Sequence, residues 1–248
     1  MKRFLLSLVL FSLAVTPALA EQALVAVAAN FGPPVREGAM EFEKASGHNV
    51  QVASGSSGAF FTQIKNGAPF DVFFSADSER PKLLEEEGLG VKGSRFTYAI
   101  GRLVLWSPDP DLVKGEDTLR SGKFKHLAIA DPKTAPYGVA ALQAMQKLGV
   151  WESIQPRLVL GESLAQTMSF VESGNAELGF LALSQAMDPK MKGRGGRWDV
   201  PSNLHEPIKQ DVILLAKGKN NPAAKALMEF IGGPQATAII ERYGYELK

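Results

Sequence analysis

The sequence predicts an α/β protein of two lobes, each a mainly parallel sheet flanked by helices. Apolar runs alternate with helical patterns along most of the chain, which is typical of βαβ units. Two longer apolar runs, residues 96–107 and 209–218, bracket the middle of the chain. We therefore predict that the chain leaves the first lobe, builds the second and returns, so that two crossings form a hinge.

The first twenty residues have the pattern of a cleaved secretory signal peptide. Lys2 and Arg3 precede a short apolar run, and Ala18-Leu19-Ala20 forms a small-residue cleavage site. The apolar run is too short for a membrane anchor, which needs about 20 residues. We expect residues 1–20 to be removed. Since the rest shows no anchor, an outer barrier must retain the protein, which predicts the periplasm of a Gram-negative cell.

Charge and cysteine content exclude several kinds of partner and site. Without Lys2 and Arg3, the 27 basic residues fall to 25 against 26 acidic ones, a net charge of −1. A nucleic-acid-binding protein would show a basic excess, so we expect no such partner. The chain has no cysteine, which excludes disulfides, thiolate metal sites and a lipid-modified N-terminal cysteine.

The first lobe is predicted to begin with three strand–helix units. The strands are "ALVAVAA" (23–29), "NVQVAS" (49–54) and "DVFFSA" (71–76). The first helix places Val35, Ala39 and Phe42 on one face and stops at Gly47. The second carries "AFFTQIKNG" (59–67) and the third "SERPKLLEEEG" (78–88). Residues 96–107 follow as one long strand.

The second lobe repeats the alternation. Its predicted strands are residues 126–132, 157–161 and 177–183, and its predicted helices are residues 137–149 and 163–174. A basic, glycine-rich segment, "MKGRGGRW" (191–198), is predicted to be a mobile loop. The long strand 209–218 then leads into two helices that begin at Pro222 and near Pro234. The predicted units are residues 21–99 with 213–248, and residues 100–212.

Four junctions between a strand and the following helix have the residues of an anion site. Asn30 and the pair Ser56-Ser57 occupy two in the first lobe; Tyr137 and Leu164 occupy two in the second. A helix N-terminus offers unpaired N–H groups and a partial positive charge. Asn and Ser are also ordinary N-caps, so each junction taken singly is explained by capping.

Other kinds of site find weaker support. A serine hydrolase of the nucleophile-elbow type needs the motif G-x-S-x-G. The segment "GSSG" lacks this spacing, and "GESLA" has Ala165 in place of the last glycine. The three histidines, His48, His126 and His205, show no link to either serine motif. Arg102 could hold the carboxylate of an amino acid, although an ion pair is the commoner role of such a residue.

Several segments in order resemble the periplasmic molybdate-binding proteins of molybdate ABC transporters. They are "AVAANF", "SGSSGAFFTQIKNGAPFDVFFSAD", "GSRFTYAIGRLVLWS", "DPKTAPYG", "LGFLALSQ" and "GPQATAIIERYGY". The resemblance covers almost all of the chain after residue 20. It implies a type II periplasmic-binding-protein fold that binds molybdate or tungstate and delivers it to a membrane permease. It also implies a monomer with no cofactor and no enzymatic activity.

The resemblance further implies which residues hold the oxyanion. By position they are Asn30, Ser57, Tyr137 and Leu164, the last two through their backbone amides, with Ala29 and Ser56 as additional candidates. The Tyr137 hydroxyl is expected to add a donor. Molybdenum would be bound only within its oxyanion, through these same residues.

This sequence departs from the family pattern at two of its positions. Ala29 stands where some members have a hydroxyl residue, and Ala182 stands where one branch has a tyrosine that reaches the anion. These departures leave open how many donors surround the anion. The sequence also leaves open a receptor for another tetrahedral oxyanion, such as sulfate, and a hydrolase of phosphate or sulfate esters.

Overall fold

The computed structural model describes residues 20–247. The predicted signal peptide lies outside this range except for Ala20, so its cleavage stays a prediction. No helix in the described range combines the length and the apolar character needed to cross a membrane.

The strands and helices alternate as predicted for an α/β protein. The strands are β1 (Gln22–Ala28), β2 (Asn49–Gly55), β3 (Val72–Phe74), β4 (Phe96–Gly101), β5 (Leu103–Ser107), β6 (Leu127–Ala130), β7 (Leu158–Gly161), β8 (Leu178–Ala182), β9 (Gly196–Asp199) and β10 (Ile208–Leu214). The helices are α1 (Gly32–Ser46), α2 (Ser57–Lys65), α3 (Glu79–Glu86), α4 (Glu116–Ser121), α5 (Pro136–Lys147), α6 (Trp151–Ile154), α7 (Leu164–Glu172), α8 (Leu183–Ala186), α9 (Pro222–Ile231) and α10 (Pro234–Arg242).

The strands form two sheets with matching topology. The first has the order β2-β1-β3-β10-β4 and the second the order β7-β6-β8-β5-β9. In the first sheet only β10 runs against the other strands, and in the second only β5 does so. Each of these two strands directly follows a crossing between the sheets. The prediction of two mainly parallel sheets joined by two crossings is therefore confirmed.

Residues 96–107 do not form the single long strand that the sequence predicts. The run divides at Arg102 into β4, which pairs with β10 in the first sheet, and β5, which pairs with β8 and β9 in the second. One strand cannot follow both sheets, so the chain turns where it passes between them. The second crossing, residues 200–207, ends at β10, which lies in the first sheet from Ile208 onward. The predicted division at residues 99/100 and 212/213 stays a prediction.

Two further predictions are wrong in detail. The segment 191–198 is not a loop throughout, because Gly196–Asp199 form the edge strand β9, where Trp198 is paired with Leu105 and packs on the second lobe's core. The predicted strand 209–218 ends at Leu214 and continues as a short 3₁₀ turn. The short helices α4, α6 and α8 were not predicted, since four to six residues carry too little periodicity.

Helices cover both faces of the first sheet, as a sheet of parallel strands requires. Phe42 in α1, Leu227 in α9 and Ile239 in α10 are buried against one face. Phe60 in α2 and Leu84 in α3 are buried against the other. This packing fixes where the helices begin relative to the strand ends.

The strand registers bring the four junctions together in pairs. At the ends of β1 and β2, Ala28 lies opposite Gly55. At the ends of β6 and β7, Ala130 lies opposite Gly161. Both junctions of each lobe therefore start at one sheet edge, and the two edges face each other across the interlobe cleft.

Candidate functional site

A small pocket lies between the lobes where the four junctions meet. All six residues singled out from the sequence line it: Ala29, Asn30, Ser56, Ser57, Tyr137 and Leu164. The remaining lining residues in the described part of the chain are alanine, glycine and proline, so no charged side chain faces the pocket. The electrostatic character of the pocket comes from backbone amides and hydroxyl groups.

The two serines of the second junction have different partners. Ser56 Oγ accepts a hydrogen bond from the Ala59 amide at 3.3 Å and thereby caps α2. Ser57 Oγ accepts one from the Ala76 amide at 2.9 Å, and Ser57 is only 1% exposed. Among the described residues, none accepts the Ser57 hydroxyl proton. That proton is available to a molecule in the pocket.

Backbone amides at all four junctions are free to donate. The N–H groups of Asn30, Ser57, Tyr137 and Leu164 have no acceptor among the residues that the structure describes. The last three lie in the first turn of α2, α5 and α7, where the helix itself supplies no acceptor. A buried amide needs a partner, so a ligand with several acceptor oxygens fits this pocket.

The second lobe's junctions are shaped by local sequence. Pro136 is the first residue of α5, where its missing N–H costs nothing, and it leaves Tyr137 as the first free amide. Ser163 caps α7 by accepting from the Gln166 amide at 3.4 Å. Gln185 donates to the Leu164 carbonyl at 3.1 Å and accepts from the Ala182 amide. Ala182 is fully buried, and the hydrogen bond to Gln185 satisfies its amide.

A buried polar network lies behind the pocket and connects the lobes. Asn30 Nδ2 donates to Gln210 Oε1 at 2.7 Å and to the Tyr245 hydroxyl at 2.9 Å. Gln210 Nε2 donates to the Tyr137 hydroxyl at 3.1 Å. The resemblance implied that the Tyr137 hydroxyl adds a donor to the anion, whereas in this structure the hydroxyl accepts a hydrogen bond from Gln210. Ser184 of the second lobe donates to the Asn30 carbonyl at 2.7 Å.

Sequence reasoning missed Gln210. A weak signal was present, because Gln210 and Asp211 stand directly before the apolar run 212–214 of the strand, and the structure shows both to be fully buried. Buried polar groups need partners, which indicates a polar network at the crossing. Arg102 forms ion pairs, the commoner of the two roles considered for it: its guanidinium lies 3.6 Å from the Asp199 carboxylate and 3.9 Å from that of Glu246.

The tyrosine hydroxyls of the network are neutral at physiological pH. Burial raises the pKa of Tyr98 and of Tyr137 well above the usual value. Burial also raises the pKa of Tyr245 to about 12, against the opposing effect of its hydrogen bonds to Ser184 and Asn30. The network therefore adds dipoles and no charge near the pocket.

The lobes touch each other around the pocket, so the structure is closed. The Gly58 amide in α2 donates to the Thr134 carbonyl of the second lobe at 2.9 Å. Arg36 in α1 pairs with Asp188 of the second lobe at 2.5 Å. A ligand in the pocket would be enclosed by both lobes.

The chain is similar to known binding proteins over nearly its full length. Residues 23–246 match the family model described as bacterial extracellular solute-binding protein. The molybdate-binding protein ModA of Azotobacter vinelandii is 53% identical over 92% of this chain and 91% of its own length. ModA of Rhodobacter capsulatus is 50% identical over 92% and 90%.

Solved structures agree with this similarity. The periplasmic molybdate-binding protein of Azotobacter vinelandii superposes with a TM-score of 0.87 at 41% identity, covering 91% of this chain and 99% of that one. The sulfate-binding protein SubI of Mycobacterium tuberculosis shares the fold alone, with a TM-score of 0.73 at 14% identity over 92% and 86% of the two chains. The fold, the paired junctions and these matches lead to one conclusion: the chain belongs to the bacterial extracellular solute-binding protein family.

Proposed function

We propose that this protein binds molybdate, and also tungstate, in the interlobe pocket and delivers the anion to the membrane permease of an ABC transporter. Its ligand residues would be Asn30, Ser57, Tyr137 and Leu164, with Ala29 and Ser56 at the edge of the site. The supporting observation is that, within residues 20–247, four backbone amides without an acceptor and the Ser57 hydroxyl meet in a pocket that no charged side chain lines. The names of the ModA relatives support molybdate as the anion.

The donors suit a fully ionised tetrahedral oxyanion. Its oxygens only accept hydrogen bonds, and each hydrogen bond to a charged group is stronger than a neutral one. Hydrogen phosphate carries a proton that needs an acceptor, so a pocket of donors disfavours it. Sulfate has the same charge as molybdate, so the pocket must separate these two by size. Neutral donors also hold the anion without an ion pair that would slow its release to the permease.

The role is binding and transport rather than catalysis. A serine hydrolase would need a base beside Ser57, but the Ala76 amide is the only described group that hydrogen-bonds to Ser57 Oγ. His205, the one buried histidine in the described range, has its Nδ1 hydrogen-bonded to the Glu206 carbonyl instead. We further propose that export through the predicted signal peptide places the protein in the periplasm, where it acts as a monomer without a cofactor.

Isothermal titration of the protein without residues 1–20 tests this function. We expect one molybdate or one tungstate to bind tightly per chain, and sulfate and phosphate to bind far more weakly. Equal binding of sulfate would show a general oxyanion receptor. Absence of binding for all four anions would overturn the proposal.

Ser57→Ala tests the site itself. Loss of a hydroxyl that donates to a charged ligand should weaken molybdate binding by roughly ten- to a hundredfold. Ser163→Ala is the matched control, because its hydroxyl caps α7 and does not line the pocket. We expect the control to lose stability but keep its affinity. Equal losses of affinity in both variants would contradict the assigned site.

A further inference from the structure

Gln210 contacts a pocket residue from each lobe without lining the pocket. It lies in β10, directly after the second crossing, and is fully buried. Its Oε1 accepts from Asn30 Nδ2 at 2.7 Å and from the Tyr98 hydroxyl at 3.0 Å. Its Nε2 donates to the Tyr137 hydroxyl at 3.1 Å. Gln210 is therefore placed to transmit a change at Asn30 to the second lobe.

One polar group of this network lacks a partner in the described part of the chain. Asn30 Oδ1 is buried and accepts no hydrogen bond. The Tyr137 hydroxyl accepts from Gln210 Nε2, and its own proton is directed at the Tyr245 hydroxyl. Asn30 lines the pocket and its Nδ2 is bonded to Gln210 and Tyr245, so Oδ1 is the end of the amide left for the pocket. An acceptor oxygen at that position repels an anion.

A half-turn of the Asn30 side-chain amide would exchange the positions of its oxygen and nitrogen. The Asn30 amide cannot make this turn alone. Asn30 Oδ1 would then stand against Gln210 Oε1 at about the 2.7 Å that now separates donor and acceptor. Two acceptor oxygens at that distance repel each other, since neither carries a proton. The Gln210 amide must therefore turn with that of Asn30.

The concerted turn gives partners to Asn30 Oδ1. The Tyr245 hydroxyl, which now accepts from Asn30 Nδ2, turns its proton from the Asn30 carbonyl or Ser184 Oγ to Asn30 Oδ1. Gln210 Nε2 then donates to Asn30 Oδ1 and to the Tyr98 hydroxyl, whose own proton can go to the Ser75 carbonyl 3.4 Å away. The Tyr137 hydroxyl donates to Gln210 Oε1. Asn30 Nδ2 faces the pocket as a donor, and an anion completes the arrangement.

We infer that Gln210 is a positioning residue for the anion: its amide and that of Asn30 turn together, so that Asn30 Nδ2 donates to the bound oxyanion while Gln210 Oε1 accepts from Tyr137. This inference rests on the proposed function. The concerted turn gives the network behind the pocket two hydrogen-bond states. The anion favours the state in which the Tyr137 hydroxyl of the second lobe donates to Gln210 in β10. Binding at Asn30 is thereby coupled to closure.

Nuclear magnetic resonance of the side-chain amides tests the turn directly. Gln210→Met and Asn30→Ser identify the two NH₂ signals by their loss from the spectrum. On saturation of the unmodified protein with molybdate, we expect both signals to shift, because both amides change partners. If molybdate binds and neither signal moves, the concerted turn is excluded.

Affinity measurements test the role of Gln210 independently. Gln210→Met removes the amide that bonds to Asn30, Tyr98 and Tyr137 at nearly constant side-chain volume, and we expect molybdate affinity to fall roughly tenfold or more. Gln143→Met is the matched control, since Gln143 accepts from the Glu206 amide and does not line the pocket; its affinity should stay unchanged.

A second variant separates positioning from a general loss of stability. Tyr137→Phe removes the hydroxyl that Gln210 reaches and keeps the backbone amide. If Gln210 and Tyr137 act together, Gln210→Met and Tyr137→Phe combined should cost clearly less affinity than the product of the two single losses. Independent losses would overturn the coupling. If the unmodified protein binds no oxyanion, the proposed function fails and this inference fails with it; if it binds molybdate and only these tests fail, the proposed function stands.

Discussion

Ser56 and Ser57 are neighbours in the chain, yet their hydroxyl groups have different roles. Ser56 caps the first turn of α2, whereas Ser57 Oγ accepts from the Ala76 amide and its proton has no acceptor among the described residues. Ala76 follows β3, nineteen positions further along the chain. A cap depends on local sequence, but the orientation of Ser57 depends on a strand that meets it only in the folded sheet.

The buried tyrosines predict a loss of stability at high pH. Burial raises the pKa of Tyr98, Tyr137 and, to about 12, Tyr245 in the folded protein. In the unfolded chain these hydroxyls have pKa values near 10. The stabilisation of the folded state by these neutral tyrosines is therefore complete below about pH 10. It is lost as the pH rises toward the pKa values of the folded protein, by up to about 1.4 kcal/mol per pH unit for each tyrosine.

Urea unfolding between pH 8 and pH 11 measures this effect. We expect the contribution of the buried tyrosines to the free energy of unfolding to stay constant up to about pH 10 and to fall above it. Tyr245→Phe should show a shallower fall, because it lacks one of the titrating groups. The same slope in both proteins would show that other groups, such as lysines, cause the loss.

At the scale of elements, the first crossing determines the geometry behind the pocket. β4 ends at Gly101, and a Cβ there would lie 2.1 Å from the Tyr137 hydroxyl and 2.4 Å from Gln210 Nε2. The absence of a side chain at Gly101 is what allows α5 to bring Tyr137 against the strand. The crossing is thus both a hinge segment and one wall of the polar network.

Gly101→Ala should disturb this wall. Two buried side chains would have to move, and overpacking of this kind costs about 1–3 kcal/mol. We expect a lower melting temperature together with weaker molybdate binding. Gly232→Ala is a suitable control in the first lobe, because an added Cβ there finds its nearest atom, Glu229 O, at 3.6 Å. Unchanged molybdate affinity in Gly101→Ala would argue against a role of the network in binding.

At the scale of the whole molecule, closure depends on close approach of backbones. A Cβ at Gly58 would come within 2.9 Å of both the Cα and the carbonyl oxygen of Thr134 across the cleft. These are backbone atoms, which cannot turn aside as a flexible side chain can. The lack of a side chain at Gly58 is therefore needed for the contact between the lobes in the closed state.

Gly58→Ala should hinder closure and leave each lobe intact. We expect molybdate affinity to fall at least about tenfold, while the melting temperature of the ligand-free protein changes little. Small-angle X-ray scattering should show a smaller ligand-induced decrease in radius of gyration than in the unmodified protein.

Gly32→Ala is the control for the effect on closure. It lies in the same cleft at the start of α1, and its added Cβ would find its nearest atom, Arg36 Nη1, at 3.7 Å. Normal closure and affinity in both variants would contradict the importance of the Gly58 contact.

The sequence by itself determined the α/β class, the two lobes and the four junctions. These follow from short-range patterns: apolar periodicity, the prolines at the starts of α9 and α10, and the polar residues after each strand. The candidate ligand residues were carried over from a family resemblance, and all of them line one pocket of the structure.

Only the tertiary structure decided the break at Arg102, the edge strand β9 and the partners of Gln210. Each depends on residues far apart in the chain: β4 and β5 pair with different sheets, β9 needs the edge of β5, and Gln210 meets Asn30 across 180 positions. Pairing and burial at such separations leave only a weak local signal in the sequence. The chain alone therefore indicates where an anion could bind, and the fold decides which atoms would face it.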